Sequence, residues 1–350
     1  MPRRILFVTQ QDCANVNTKI SQAINDLGCG WESRVCSCVS HPFKYHLKHD
    51  LDYDESTETE KAQMREWIQQ GIDVLVWAEE AHTQSYYSYY ARYPLFRQTM
   101  LMGAKPKMRV IFHTGTYRGE HKKYNELDRL NFTLQLLSPD LWRLSTHSHP
   151  RIIWGKPIKV DVDYVRYWWT RRRRSNKVRI CHCPTNRVHK GTDIIEKGMQ
   201  ELCKQYPQVE FKLLQPMDHK QLERARANFH IYLDQYSASV GGVGMSSFEA
   251  MSEGLIAAST THMIPKHLWP RPCPLIQLPC PTGDEKVDTL ALVRVLKPYV
   301  QLTMKQLENR AWLGTQWVHQ VLKPSTFAWK FLRELGCVRP APCRENRKTL

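Results

Sequence analysis

The stretch that most constrains this chain runs from Asp234 to Gly254, DQYSASVGGVGMSSFEAMSEG. An apolar run, Phe229 to Leu233, reads as a strand and delivers the chain into a turn containing Gly241, Gly242 and Gly244. A helix is expected to start near Ser246 and to stop at Gly254. Glycines before a helix let the backbone approach a ligand closely, and the helix's open N–H groups and positive dipole end favour an anion. Glu249, one turn into that helix, is placed to reach a ribose beside such an anion. The same residues also read as a capping box, Ser246-x-x-Glu249, which satisfies backbone donors and binds nothing.

The rest of the chain alternates strand and helix around this unit. Arg4–Thr9 reads as a buried strand, Asn15–Leu27 as a helix ended by Gly28, and Ser33–Val39 as a second strand, which opens a parallel α/β sheet. A helix through Trp67 and Ile68, a strand at Asp73–Trp77 and another at Arg109–Phe112 follow. Loops at the carboxyl ends of such strands line the ligand crevice, so Asp12, His113 and Arg118 occupy favoured positions. Between Asp161 and Lys177 the core periodicity lapses; Tyr167-Trp-Trp-Thr170 and the basic run Arg171–Arg174 read as an interdomain connection. Val178–Cys183 restarts the alternation, with strands at Val209–Leu214 and Leu255–Ala258 and a helix at Gln221–Ala227. Pro265–Pro281 reads as irregular, and Leu290–Val295, Leu302–Val321 and Ser325–Leu335 as helical. The resulting division is residues 1–168, 169–324 and 325–350.

With 350 residues there is room for two domains with separate cores. The formal charge of +16 implies an acidic partner: nucleic acid, an anionic membrane surface or a phosphorylated substrate. Eleven scattered cysteines read as reduced thiols of a cytoplasmic protein, not as a disulfide framework. The basic start at Met1–Arg4 is followed by too short an apolar run for a signal peptide. No segment approaches the roughly eighteen apolar residues that span a bilayer, so any membrane contact is expected to be peripheral.

A second loop-to-helix site precedes the glycine turn. Thr185 to Gly191 follows the strand at Val178–Cys183 and supplies Arg187 and Lys190, a bidentate fork and a point charge suited to a diphosphate. Asp193-x-x-Glu196 is expected to cap the helix that follows. Adjacent carboxyl ends in one sheet aim both loops at one crevice. A nucleoside diphosphate fits the pair, with phosphates between Arg187, Lys190 and Gly241, Gly242 and Ser246, and ribose on Glu249. Neither glycine pattern is GxGxxG or Walker A.

His182-Cys-Pro-Thr-Asn-Arg187-Val-His-Lys190-Gly-Thr-Asp193, followed by Val243-Gly-Met-Ser-Ser-Phe-Glu249-Ala-Met251-Ser-Glu-Gly254, resembles the donor-site signature of GT-B glycosyltransferases of the family 4-like group. The resemblance covers residues 178–260 and is architectural elsewhere. It implies two Rossmann-like, doubly wound α/β domains facing a central cleft, with the tail helix crossing back to the first domain. It also implies a nucleotide sugar, UDP-sugar foremost, as co-substrate without a metal cofactor, held by Thr185, Arg187, Lys190 and Glu249. Many retaining members carry a further Glu eight positions before the one matching Glu249; here that position is Gly241, so the stereochemistry is left open. Transfer also needs a base for the acceptor's proton, for which Asp12 and His113 are the candidates, each with an alternative role as a turn or capping residue. Tyr86, Tyr87, Arg92 and Arg118 combine aromatic faces with cations and are expected to bind the acceptor. With the net charge they favour DNA carrying a hydroxymethylated pyrimidine, as in phage-type DNA glycosyltransferases. A lipid or cell-surface glycan on an anionic membrane, or a non-catalytic nucleic-acid-binding role, are the alternatives. Cys181, Cys183, Cys36 and Cys38 lack zinc-ribbon spacing, so no metal site is expected.

Overall fold

The computed structural model describes residues 2–10, 12–38, 47–78, 100–101, 103–113, 132–144 and 150–338. The first domain carries β1 (Arg3–Thr9), β2 (Trp31–Ser37), β3 (Leu51–Asp52), β4 (Val74–Ala78), β5 (Met108–His113), β6 (Leu134–Leu137) and β7 (Arg151–Ile152). They form one sheet in the order β3-β2-β1-β4-β5-β6-β7, and every pairing is parallel. The central strand is apolar on both faces, Ile5 and Phe7 turning to one core and Leu6 and Val8 to the other, as a strand covered on both sides requires. Helices α1 (Val16–Asn25) and α2 (Glu58–Gln69) cover opposite faces, and Thr57 and Glu60 close a reciprocal capping box on α2.

The second domain carries β8 (Val178–His182), β9 (Val209–Leu213), β10 (Ile231–Gln235), β11 (Ile256–Thr260) and β12 (Ile276–Leu278) in the parallel order β12-β11-β10-β8-β9. Helices α3 (Val162–Arg172), α4 (Thr192–Gln205), α5 (His219–Arg226), α6 (Met245–Ser252), α7 (Glu285–Val300) and α8 (Met304–Val321) surround it. The sheet order reverses between β8 and β10. Ligands of open α/β sheets bind outside the carboxyl ends of strands at such a switch point. Both loops singled out in the sequence leave the sheet there.

Two elements differ from the sequence reading. Residues 162–172 are helix α3, where a lapse of periodicity was expected, and the expected boundary at residue 168 falls inside it. Val165, Trp169 and Arg172 recur on its buried face, and Arg172 donates to the Ala227 and Gly254 carbonyls at 2.8 Å each. A buried arginine on the core face disguised the apolar repeat, and the helix packs into the second domain's core. In the stretch read as irregular, Ile276–Leu278 forms the edge strand β12, too short between prolines to show alternation.

Helix α9 (Pro324–Glu334) crosses back to the first domain. Pro324 at its first position costs no hydrogen bond. Phe327, Ala328, Phe331 and Leu332 form its buried stripe, and the Phe331 ring lies 5.7 Å from Phe7 and 6.4 Å from Phe112. Burying each such ring is worth about 2 kcal/mol, enough to dock the tail firmly. These features together are the GT-B architecture: two parallel α/β domains and a returning C-terminal helix.

Candidate active site between the domains

At the switch point of the second sheet the two expected loops touch. The Tyr236 N–H donates to the Lys190 carbonyl at 3.0 Å. Gly191 lies so close to Tyr236 that a Cβ there would come within 1.8 Å of the Tyr236 oxygen, and its φ of +65° already excludes most side chains. Lys190 Nζ donates to Asp234 Oδ1 at 2.6 Å and to Gln235 Oε1 at 3.0 Å. Asp234 in turn accepts from the Gly244 N–H at 3.0 Å and the Ser247 hydroxyl at 2.8 Å. Gln235 Nε2 donates to the carbonyls of Val240 and Gly242. Lys190 is thereby joined to the glycine turn through the ends of β10.

Beneath this network lies His182. Its Nδ1–H donates to the Leu233 carbonyl at 2.8 Å, so Nε2 accepts the Thr192 hydroxyl at 2.9 Å. Burial draws its pKa down to about 4, which fixes a neutral imidazole under the loops.

Other expected donor-site residues lie differently. Arg187, in the single helical turn Arg187–Lys190, forks onto Asp193 at 3.0 Å and onto Glu196 and is half exposed. Asp193 and Glu196 serve this arginine and do not cap α4, which starts from Gly191 without a side-chain cap. Thr185 is exposed in the loop after β8. Helix α6 begins at Met245 with Gly244 as its cap residue, so the Ser246/Glu249 capping box does not form; Ser246 instead bonds Tyr232.

The glycines of the turn are close-approach sites. A Cβ on Gly241 would meet the His262 ring at 2.5 Å, and one on Gly242 would meet the Asp140 carboxyl at 2.5 Å. Asp140 belongs to the first domain, in the 3-10 turn Pro139–Leu144 after β6. Here the two domains meet, against the glycine turn.

Glu249 is the centre of a buried charge cluster that spans the cleft. Its Oε1 accepts from Lys156 Nζ at 2.6 Å and from His219 Nε2 at 3.1 Å, and its Oε2 lies 3.7 Å from Arg226 Nη2. Lys156 is fully buried on the segment joining the domains and also donates to the Ala14 carbonyl of the first domain at 2.5 Å. Burial alone would raise the Glu249 pKa, but Lys156, the His219 hydrogen bond and Arg226 hold it well below the usual carboxylate range. About a tenth of the side chain stays exposed. Arg226 is paired bidentately with Glu253.

Of the two expected bases, Asp12 caps α1. Its oxygens accept from the Asn17 and Thr18 N–H groups at 2.8 Å each and from the Thr18 hydroxyl at 2.7 Å. Burial opposes its ionisation, but His49 and Thr18 outweigh that and lower its pKa. His49 stands 3.7 Å from Asp12 and 2.5 Å from Asp52; against the effect of burial, these carboxylates raise its pKa to about 9. His113, at the carboxyl end of β5, is fully buried with Nε2 3.0 Å from the Gln135 amide. Tyr86, Tyr87, Arg92 and Arg118 lie outside the described residues. The described cysteines are free thiols, and among the described residues no group of three His, Cys, Asp or Glu is arranged to hold a metal.

Lys156, His219, Arg226, Asp234 and Gln235 are the site residues that sequence reading missed. Asp234 and Gln235 had a signal, since polar residues directly after a buried strand at a switch point are positioned for ligands. The others had none.

No protein-family model matches the chain, and no curated protein matches it in sequence. Solved structures do match its fold. Anabaena HepE, in complex with UDP and glucose, superposes with a TM-score of 0.59 at 13% identity, covering 96% of this chain and 100% of that one. Sucrose-phosphate synthase from Thermosynechococcus elongatus gives 0.57 at 12% identity, with 95% and 98% covered. An alpha-glucosyltransferase in complex with UDP-glucose and DNA containing an abasic site gives 0.56 at 10%, again with 95% and 98% covered. At these identities the likeness is one of fold.

Proposed function

We propose that this chain is a glycosyltransferase that moves a sugar from a UDP-sugar to a hydroxyl acceptor in the cleft. The observation that carries the reading is the junction of Lys190, Asp234, Gln235 and the Gly241–Gly244 turn at the switch point of the second sheet. In the reaction the anomeric carbon–phosphate oxygen bond breaks, the acceptor oxygen bonds the anomeric carbon, and UDP leaves with the bonding pair. Lys190 and the N-terminal end of α6 stabilise the charge gathering on the departing diphosphate. Thr185, Gly241, Gly242 and Ser246 line its path, and Arg187 joins by exchanging Asp193 and Glu196 for phosphate oxygens. The ionised Glu249 accepts from ribose hydroxyls. The acceptor's proton goes to one of the two candidate bases: Asp12, whose oxygens are engaged by α1, or His113, which is buried with Nε2 3.0 Å from the Gln135 amide.

The acceptor we favour is DNA bearing a hydroxymethylated pyrimidine. The net charge of +16 suits a polyanion, and one of the similar structures holds DNA together with UDP-glucose. A second reading, a glycan or lipid acceptor at an anionic membrane, rests on α3, where Arg171 lies over the exposed Tyr167 ring at 4.9 Å. Among the described residues no helix is long and apolar enough to cross a membrane.

A thermal-shift panel of nucleoside diphosphates and their sugars tests the donor. UDP-sugar at a hundred times its Kd should add about 2.7 kcal/mol of stability, and Lys190→Met should abolish the shift. His113→Ala should keep the shift and lose sugar transfer to hydroxymethylated DNA, followed by mass spectrometry. Absence of stabilisation by every nucleotide sugar would refute the reading.

A further inference from the structure

Beside the glycine turn, on the flank of the cleft, lies a groove of about 650 Å³ that the donor site does not use. One wall is the segment from Thr261 to Gln277 at the ends of β11 and β12, with His262, Lys266, Trp269 and Arg271; the other is Arg143 of the first domain. Among the described residues that line it none is acidic. Arg143, Lys266 and Arg271 are all exposed, and none pairs with a carboxylate among the described residues. Some exposed cations of this chain do stand against carboxylates, as with Arg34 and Glu32 or Lys197 and Glu285. With 50 Lys and Arg against 34 Asp and Glu many do not, so what sets these three apart is their gathering around one concavity. Three cations around one concavity repel each other and hold counterions that a polyanion would release.

The groove is fixed in shape and joined to the donor loop. The His262 ring rests on Gly241, and its Nε2–H donates to the Ala238 carbonyl at 3.1 Å. Met263 exchanges two hydrogen bonds with Gly241, N–H to carbonyl at 3.0 Å and Gly241 N–H to Sδ at 3.3 Å. The Trp269 ring packs at a tilt against Trp154 with centroids 4.7 Å apart, Trp154 Nε1 donates to the Leu268 carbonyl at 3.0 Å, and Ile264 and Leu275 are buried in the core. Pro265, Pro270, Pro272 and Pro274 stiffen the wall further. A groove so held costs little ordering entropy when filled.

We propose that this groove binds the phosphodiester backbone of the nucleic-acid acceptor, with Arg143 on one side of the strand and Lys266 and Arg271 on the other. Its concavity decides for a strand: a flat bilayer surface reaches a ridge and cannot enter a groove between two domains. Position gives the purpose, since a strand seated here runs past the turn where the sugar is handed over. That purpose rests on the glycosyl-transfer reading, but the binding does not and is measured without donor.

The test is fluorescence anisotropy of a short labelled DNA duplex against the full chain and the variant Arg143→Gln/Lys266→Gln/Arg271→Gln over a salt series. The variant should bind at least about tenfold more weakly, and the slope of log K against log salt should fall by about two to three, the value for three lost phosphate contacts. A control, Arg171→Gln/Arg174→Gln on α3, should change the slope less. Equal losses in both variants, or an unchanged slope in the groove variant, would overturn the proposal. So would a groove variant that keeps DNA binding and loses binding to phosphatidylglycerol vesicles. Should the triple variant not fold, Arg143→Gln alone carries the test with an expected slope change of about one. UDP-induced stabilisation should be the same in wild type and variant, so failure of the donor reading shows separately as its absence in both.

Discussion

Lys156→Met removes the cation that joins the two domains to the donor site. Lys156 is fully buried, with Nζ 2.6 Å from Glu249 Oε1 and 2.5 Å from the Ala14 carbonyl. Removing one member of a buried ion pair costs about 3–5 kcal/mol because the remaining charge is left without its partner. Glu249 keeps His219 at 3.1 Å and Arg226 at 3.7 Å, which puts this loss near the bottom of that range, about 3 kcal/mol. The lost bond to Ala14 adds about 1 kcal/mol. At about 2–3 °C per kcal/mol for a large chain, the Tm should fall by roughly 8–12 °C. The acid limb supplies a second readout. The Glu249 pKa is depressed in the folded protein, so its contribution is present above the unfolded value near 4.5 and is lost as the pH falls further. The variant's stability should therefore decline less steeply than wild type below about pH 4.5. The double variant Lys156→Met/Glu249→Leu removes both charges and should be about 2 kcal/mol less destabilised than the sum of the single changes. Scanning calorimetry across pH measures all three. A single variant within 2 °C of wild type, or an additive double variant, would refute this account of the cluster; ~1 kcal/mol is the smallest effect so resolved.

Two further outcomes follow from groups at the same junction. Burial, with repulsion from Lys156, draws the Lys19 pKa down to about 8 against the pull of Glu249, Glu223 and Glu253. Its charging therefore works against folding below pH 8, and stability should be regained as pH rises from 8 towards 10.5; Lys19→Met should stabilise at pH 7 by up to about 3 kcal/mol and flatten that limb in a Tm–pH series. Gly242→Ala would set a Cβ 2.5 Å from the Asp140 carboxyl and press the domain faces apart, weakening UDP-sugar affinity in titration calorimetry, and Gly242→Ala/Asp140→Gly should restore it.

The parts of this fold that were legible in the sequence are those whose information is local. The strand, glycine turn and helix from Phe229 to Gly254 announce themselves because each element needs a particular residue order over a few positions. The stripe of Phe327, Ala328, Phe331 and Leu332 is similarly plain as a helix, while its return to the first domain was expected from the family resemblance alone. Lys156 had no such mark: its partner is 93 residues away, and a lone lysine between Gly155 and Pro157 reads as loop. His219, Arg226 and Arg172 were hidden for a related reason. A buried polar side chain is defined by what surrounds it in space, and in a hydrophobicity pattern it counts as an exposed position. Arg187 shows the reverse case, because its signature residues are present while the neighbouring Asp193 and Glu196 hold it.

The charge cluster also explains how a site built from separate domains keeps its geometry. A ribose at Glu249 would compete for a carboxylate that Lys156 already binds, and Lys156 sits on the first segment joining the domains, with its other bond to Ala14. Ala14 itself has φ of 56° and Asn15 φ of 51°, a left-handed pair without glycine that costs about 1–2 kcal/mol per residue. That strain is held by Asp12, whose oxygens cap α1 directly after it, and by Asn15 Nδ2, which donates to the Leu47 carbonyl at 2.9 Å. The Ala14 carbonyl is thus aimed across the cleft by the cap of α1. Asp12 then acts on the donor site from a distance, through backbone geometry and Lys156. On this account Asp12→Asn, which keeps the shape and weakens the cap, should raise the KM for UDP-sugar while leaving kcat near wild type, whereas a base would lose kcat. A fall in kcat at unchanged KM would return the proton-accepting role to Asp12.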